Sequence, residues 1–123
     1  MSFNPIGWFE IYVEDMDRAQ KFYEEVFKVE LQDLPMEGMS MRSFPGDYDK
    51  PGATGTLVKM EGMNPGSGGT MVYFVCEDCA IEESRVEAAG GKVVQAKMAI
   101  GEHGFCSMVL DTEGNTIGLH SMA

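Results

Sequence analysis

The residues best able to do chemistry begin with a short alternating run, Ile6 to Val13 (I-G-W-F-E-I-Y-V). Read as a strand, it places Phe9, Ile11 and Val13 on one apolar face and Trp8, Glu10 and Tyr12 on the other. The second face is aromatic with one carboxylate at its centre. Such a carboxylate must find a partner or cost several kcal/mol once buried, and the same grouping attracts a cation through both ring faces and acid. Cys76 and Cys79 frame C-E-D-C, which has dithiol spacing. Its two inner acids would raise a thiol pKa where a redox thiolate needs it lowered. A zinc site would have to recruit Cys106 with His103 or His120 from distant segments, so small packing residues are the expectation. His103 sits between glycines in A-I-G-E-H-G-F and reads as an exposed loop residue. Arg42 would offer a positive charge to an anionic substrate, or else pair with one of the many acids.

The elements that position these residues follow from periodicity. Asp15 is a natural N-cap, and Ala19, Phe22, Tyr23, Val26 and Phe27 recur at helical spacing, which predicts a helix over 16–27. Strands are expected over Val29 to Leu34, Met39 to Phe44 and Thr56 to Met60, with P-G-D-Y-D-K-P-G-A-T-G as a loop between the last two. A Gly-rich segment, Gly62 to Gly69, has linker composition. The pattern then restarts. A strand over Thr70 to Cys76 precedes a helix capped by Asp78 and running to about Ala89, stopped by Gly90 and Gly91. Strands over Lys92 to Met98, Phe105 to Leu110 and Asn115 to His120 follow, the last two joined by D-T-E-G. The order is βαβββ twice, and matching Val13 with Val75 gives a repeat of 62 residues, about half the chain.

The whole chain of 123 residues fits one domain, residues 1–123, made of module one at about 1–61, a linker at 62–69 and module two at about 70–123. Nine basic against 20 acidic residues give a net charge of −11, and no Lys or Arg run exists to neutralise phosphates, so nucleic acid is not an expected partner. The longest strongly apolar run, Met71 to Cys76, is far short of a membrane span. Three Cys make a disulfide framework improbable and point to a reducing cytoplasm. No phosphate-loop, dinucleotide or G-x-S-x-G motif occurs. Of eleven Met, Met36, Met39, Met41, Met60, Met63 and Met71 gather in the middle third, where a flexible apolar surface would line a cleft or a dimer contact, with core filling the default.

W-F-E-I-Y-V-E-D-M-D-R-A-Q-K-F-Y-E-E-V-F at 8–27, E-A-A-G-G-K-V at 87–93 and D-T-E-G-N-T-I-G-L-H-S at 111–121 together resemble the vicinal oxygen chelate superfamily, the glyoxalase, bleomycin-resistance and extradiol-dioxygenase group. The similarity spans nearly the whole chain and is closest to the glyoxalase-like subgroup related to lactoylglutathione lyase. It implies an α+β fold in which two tandem βαβββ modules form an open, cleft-bearing β-barrel with helices outside, usually as a homodimer. Trp8, Glu10 and Tyr12 would then line the cleft.

Metal-dependent members of that group resemble one another in placing His, Glu or Gln at four cleft positions, two per module. Aligned through V-E-D-M-D-R-A and E-G-N-T-I-G-L, these fall on Trp8, about Thr56, Thr70 and Gly118. None is a metal ligand of ordinary affinity, so no cofactor is expected. Two residues along the outer strands stand Glu10 and His120, which the resemblance would bring together. They would form a general-base pair, a structural pair, or two ligands of a displaced divalent metal. The expected site therefore has Glu10 and His120 in catalysis, with Trp8, Tyr12, Thr56, Thr70 and Arg42 contacting a small organic ligand. Two functions compete: a lyase, isomerase or dioxygenase relative, and a non-catalytic binder that sequesters an aromatic or cationic compound. An interaction module with an empty cleft is the third.

Overall fold

The computed structural model describes residues 6, 8–47, 49–68 and 70–123. Gly7 in the expected first strand, Tyr48 in the expected loop and Gly69 at the end of the expected linker lie outside them.

Module one runs β1 (Phe9–Tyr12), α1 (Met16–Phe27), β2 (Gln32–Asp33), β3 (Ser40–Ser43) and β4 (Gly55–Lys59). Module two runs β5 (Val72–Val75), α2 (Cys79–Val86), β6 (Lys92–Ala99), a 3₁₀ turn (Gly101–His103), β7 (Phe105–Leu110) and β8 (Thr116–Ser121). Each module forms a four-stranded sheet, ordered β1-β4-β3-β2 and β5-β8-β7-β6, in which the first strand lies parallel to the fourth. The parallel pairing follows from the helical crossover between the first and second strands of each module. The architecture is mixed α+β, and the two sheets remain open.

Both helices begin where an aspartate caps them. Asp15 accepts from the Arg18 amide at 3.1 Å and Asp78 from the Ala80 amide at 3.0 Å. α1 buries Met16, Ala19, Phe22, Tyr23 and Val26, the stripe its periodicity demands. It stops at Lys28, which adopts a left-handed conformation (φ 55°) without being glycine. α2 is shorter than expected, because residues 87–90 leave the helix as a turn into Gly91. A side chain at Gly91 would strike the Leu110 carbonyl and the Phe22 ring, so only glycine lets α1 close on module two here.

A single core joins the halves. Ile11, Val13 and Leu57 of module one, Val109, Ile117 and Leu119 of module two, and both helices share one buried cluster. Phe9 of β1 and Phe74 of β5 meet edge to face at 5.9 Å, and Tyr23 lies against both Phe44 and Phe74. The turn between β7 and β8 fastens the junction. Buried Asp111 takes the Tyr23 hydroxyl at 2.7 Å, and Asn115 donates to the Tyr12 carbonyl at 2.9 Å. Glu113 accepts from the Glu14 and Asp15 amides and from Arg18. The expected linker is anchored too: the Gly66 amide donates to Asn115 and Ser67 to the Gly114 carbonyl.

Candidate functional site

Because successive strand residues alternate, the core-facing set defines what stands on the other face of each sheet. In module one that face carries exposed Glu10 beside buried Thr56 and half-buried Ser43, and half-buried Tyr12 beside buried Val58 and Met41. Trp8, one residue before β1, continues the same alternation. In module two it carries Tyr73 beside Gly118 and Met108, and Val75 beside His120 and Cys106. Phe9 and Phe74 touch on the core side, so Trp8 just before β1, Glu10 on β1, and Tyr73 and Val75 on β5 flank that contact on the other side.

Glu10 is exposed, and one of its oxygens accepts the Tyr12 hydroxyl at 3.0 Å. That bond, then burial and the carboxylate's charge, raise the Tyr12 pKa above its ordinary value. Glu10 thus avoids the burial cost that its aromatic neighbours suggested.

The expected meeting of Glu10 with His120 is not seen. Among the described residues no hydrogen bond or ion pair joins them, and His120 Nε2 is bonded to the His103 carbonyl at 2.7 Å. Strand order is the reason: β8 lies between β5 and β7, so β5 separates it from module one's edge. His120 instead faces Cys106 directly across the β7–β8 ladder.

One of the four metal positions moves by one residue. Asp15 and Asp78 cap equivalent helices 63 residues apart, and the amides of Val13 and Cys76 donate to equivalent carbonyls, Val58 and His120. The counterpart of Trp8 is therefore Met71, not Thr70. Thr70 is an exposed loop residue before β5, and period two from the core-facing Val72 and Phe74 would not turn it to the open face. The four positions hold an indole, the Thr56 hydroxyl, a thioether and Gly118. At Gly118 even a Cβ would lie 2.3 Å from the Tyr73 ring, so an aromatic plane occupies the space a ligand side chain would need. Thr56 Oγ1 is buried without a hydrogen-bond partner, and a lone hydroxyl does not hold a divalent ion. These residues do not fit the metal centre of the metal-dependent relatives. No cluster of three or more His, Cys, Asp or Glu with metal-holding geometry occurs among the described residues.

Arg42 stands on the helix side, not the open face. Its register partner is core-facing Leu57, and its guanidinium bonds Asp17 at 2.8 Å and Gln20 at 2.5 Å. This is the salt-bridge alternative, and it removes the one cation expected at the site. His103 is exposed in the 3₁₀ turn. Cys76, Cys79 and Cys106 are free and buried. Burial, followed by the charge of Glu82, pushes the Cys76 thiol up to about 12, opposite to what redox chemistry requires. Tyr73 is the residue that sequence reasoning missed. A glycine where a ligand was expected was the available signal that a neighbouring ring fills the space.

Tandem βαβββ modules, each with its first strand parallel to its fourth, define a recognisable fold class. The family model for the glyoxalase/bleomycin resistance protein/dioxygenase superfamily matches residues 5–119, and the chain belongs to that superfamily. No protein with a curated description matches the sequence. Among solved structures, glyoxalase I from Zea mays is similar with 20% identity and a TM-score of 0.71 over 96% of this chain, which spans only 46% of the maize chain. TnmS3, an antibiotic binding protein from a Streptomyces species, is similar with 24% identity and a TM-score of 0.70 over 100% of this chain and 99% of its own. A glyoxalase/bleomycin resistance protein from Albidiferax ferrireducens shares 16% identity with a TM-score of 0.69 over 94% and 98%. At these identities the likeness is one of fold.

Proposed function

We propose that this chain binds a small aromatic or cationic organic compound on its open face and sequesters it without a metal. The observation that carries this reading is the replacement of metal-ligand chemistry by aromatic surface: Tyr73 lies over Gly118, and Glu10, held by Tyr12, is exposed beside Trp8. Ring faces stabilise a cation by about 0.5–2 kcal/mol per contact, the exposed Glu10 carboxylate adds a negative charge, and Arg42 is turned away. The antibiotic-binding neighbour, similar along its full length, supports binding over turnover. A second copy is part of the reading, since Tyr73, Val75 and Met98 stand exposed on module two's open face, Val75 at 89%. Three unpaired cysteines favour a reducing cytoplasm.

The test is thermal shift of wild type and Glu10→Gln against a panel of cationic and neutral aromatics, with mass spectrometry of the recovered compound. Stabilisation by cationic members, loss of that response in the variant and recovery of unaltered ligand are expected. A chemically changed ligand would establish the enzyme alternative, and an equal response from the variant would remove Glu10 from the site.

A further inference from the structure

The neighbour that His120 has in place of Glu10 brings chemistry of its own. Cys106 and His120 are register partners in the antiparallel β7–β8 ladder and share one face of module two's sheet. The His120 carbonyl accepts from the Cys76 amide at 2.7 Å, so the backbone groups of His120 point to β5 and away from β7. Cys106 and His120 therefore form a non-hydrogen-bonded ladder pair, in which Cα atoms lie about 4.5 Å apart and side chains are at their closest. From that spacing, rotation of the thiol about χ1 brings Sγ within reach of the imidazole.

The imidazole is set for one role. Its Nε2 lies 2.7 Å from the His103 carbonyl, which accepts and cannot donate, so Nε2 carries the proton and Nδ1, nearer the backbone, keeps a lone pair. A nucleophile, a base and a group that orients the base thus stand together. Among the described residues neither Cys106 Sγ nor His120 Nδ1 has a hydrogen-bond partner. The flanking ladder positions are uncharged: Val75 on β5 and Met98 on β6, 89% and 41% exposed. Lys97 is turned to Asp78, and in the 3₁₀ turn Glu102 stands against His103. The other two thiols lack such a base. Cys79 is fully buried, and burial and Glu82 work against ionisation of Cys76.

We infer that Cys106 and His120 capture a soft carbon electrophile, an α,β-unsaturated carbonyl compound, as a covalent adduct on module two's open face, independently of Glu10. His120 Nδ1 takes the thiol proton, the sulfur electron pair forms an S–C bond to the β-carbon, and the C=C pair moves toward the carbonyl as an enolate. The proton on Nδ1 then passes to the α-carbon. The sum is S–H added across C=C, with no leaving group, oxidant or reductant. Acyl transfer would also need amides to hold an oxyanion, and those of β7 and β8 beside the thiol are committed to their ladders. Exposed Tyr73, Val75 and Met98 offer a conjugated compound an apolar floor.

N-ethylmaleimide at one equivalent is the probe, with intact-mass measurement of the rate and peptide mapping of the modified residue. A single adduct on Cys106 is expected, at a rate that has levelled off by about pH 7.5 rather than climbing through the range of an unassisted thiol near 8.5. His120→Gln, whose amide can still donate to the His103 carbonyl, should slow labelling at pH 7 by more than about tenfold, because an unassisted thiol is only about 3% ionised there. The variant's rate should then climb through the thiol range. Should it fail to fold, the wild-type pH profile decides alone. Modification of native Cys76 or Cys79 ahead of Cys106, or a wild-type rate that climbs through pH 8.5, would overturn the inference. So would the lack of any adduct while free cysteine at the same pH is consumed.

Discussion

Glu113→Gln should loosen the joint between the two modules. The Glu113 side chain is fully buried, and its carboxylate accepts five hydrogen bonds: the Glu14 and Asp15 amides at 2.9 Å each, Arg18 Nε at 2.8 Å and Nη2 at 2.9 Å, and the Thr112 hydroxyl at 2.8 Å. Burial alone would raise its pKa. Arg18, Thr112 and the two amides together outweigh burial and hold it at about 2, below the ordinary 4.5. That depression is worth roughly 3 kcal/mol at neutral pH. A glutamine keeps one acceptor oxygen but turns an NH2 group toward the Arg18 donors. Arg18 is half exposed and recovers some hydration, so the loss should be about 2–3 kcal/mol, or roughly 10 °C in Tm. Because the folded pKa is lowered, the stability is fully present above pH 4.5 and is lost as pH falls toward 2. Urea melts of both proteins at pH 7 and pH 3 measure this. Equal midpoints at pH 7, or a gap that widens on acidification, would refute the reasoning.

Other outcomes follow from the same geometry. Gly118→Ala should cost about 1–3 kcal/mol by forcing a Cβ into the Tyr73 ring; denaturant melts should show most of that cost vanish when Tyr73 is also Ala. Tyr23→Phe should cost about 1–3 kcal/mol, since it leaves buried Asp111 without the hydroxyl 2.7 Å away, which calorimetry would read. A thiol reagent at pH 8 should label Cys76 only on unfolding, because burial and Glu82 push that thiol up to about 12; rapid labelling of the native chain would contradict its placement.

The fold was legible to different depths along the chain. The bounds of α1 were readable because an N-cap and an apolar stripe agree on them. Thr70 was matched to Trp8 by setting Val13 against Val75, whereas the equivalent caps and carbonyls set Val13 against Cys76, one residue further on. Val29 to Leu34 yields only the two residues of β2, with Leu31 buried and its amide bonded to Glu24. Period two alone separated Trp8, Glu10 and Tyr12 from Phe9, Ile11 and Val13, while Thr56 entered only through the resemblance. Which strands adjoin was not visible from period two, and the pairing of Glu10 with His120 failed there. D-T-E-G read only as a turn joining two strands, and its Asp111 and Glu113 are buried at the module junction. Only tertiary packing tells a buried turn from an exposed one.

The central claim is that Trp8 and Glu10 border a metal-independent ligand site. Trp8 is the chain's only tryptophan, so intrinsic indole fluorescence reports on this place alone. Titration of chelator-treated protein with cationic aromatic compounds should give saturable quenching that Glu10→Gln weakens and added divalent metal leaves unchanged. Quenching that appears only with added metal, or ligand binding that leaves Trp8 unperturbed, would contradict the account.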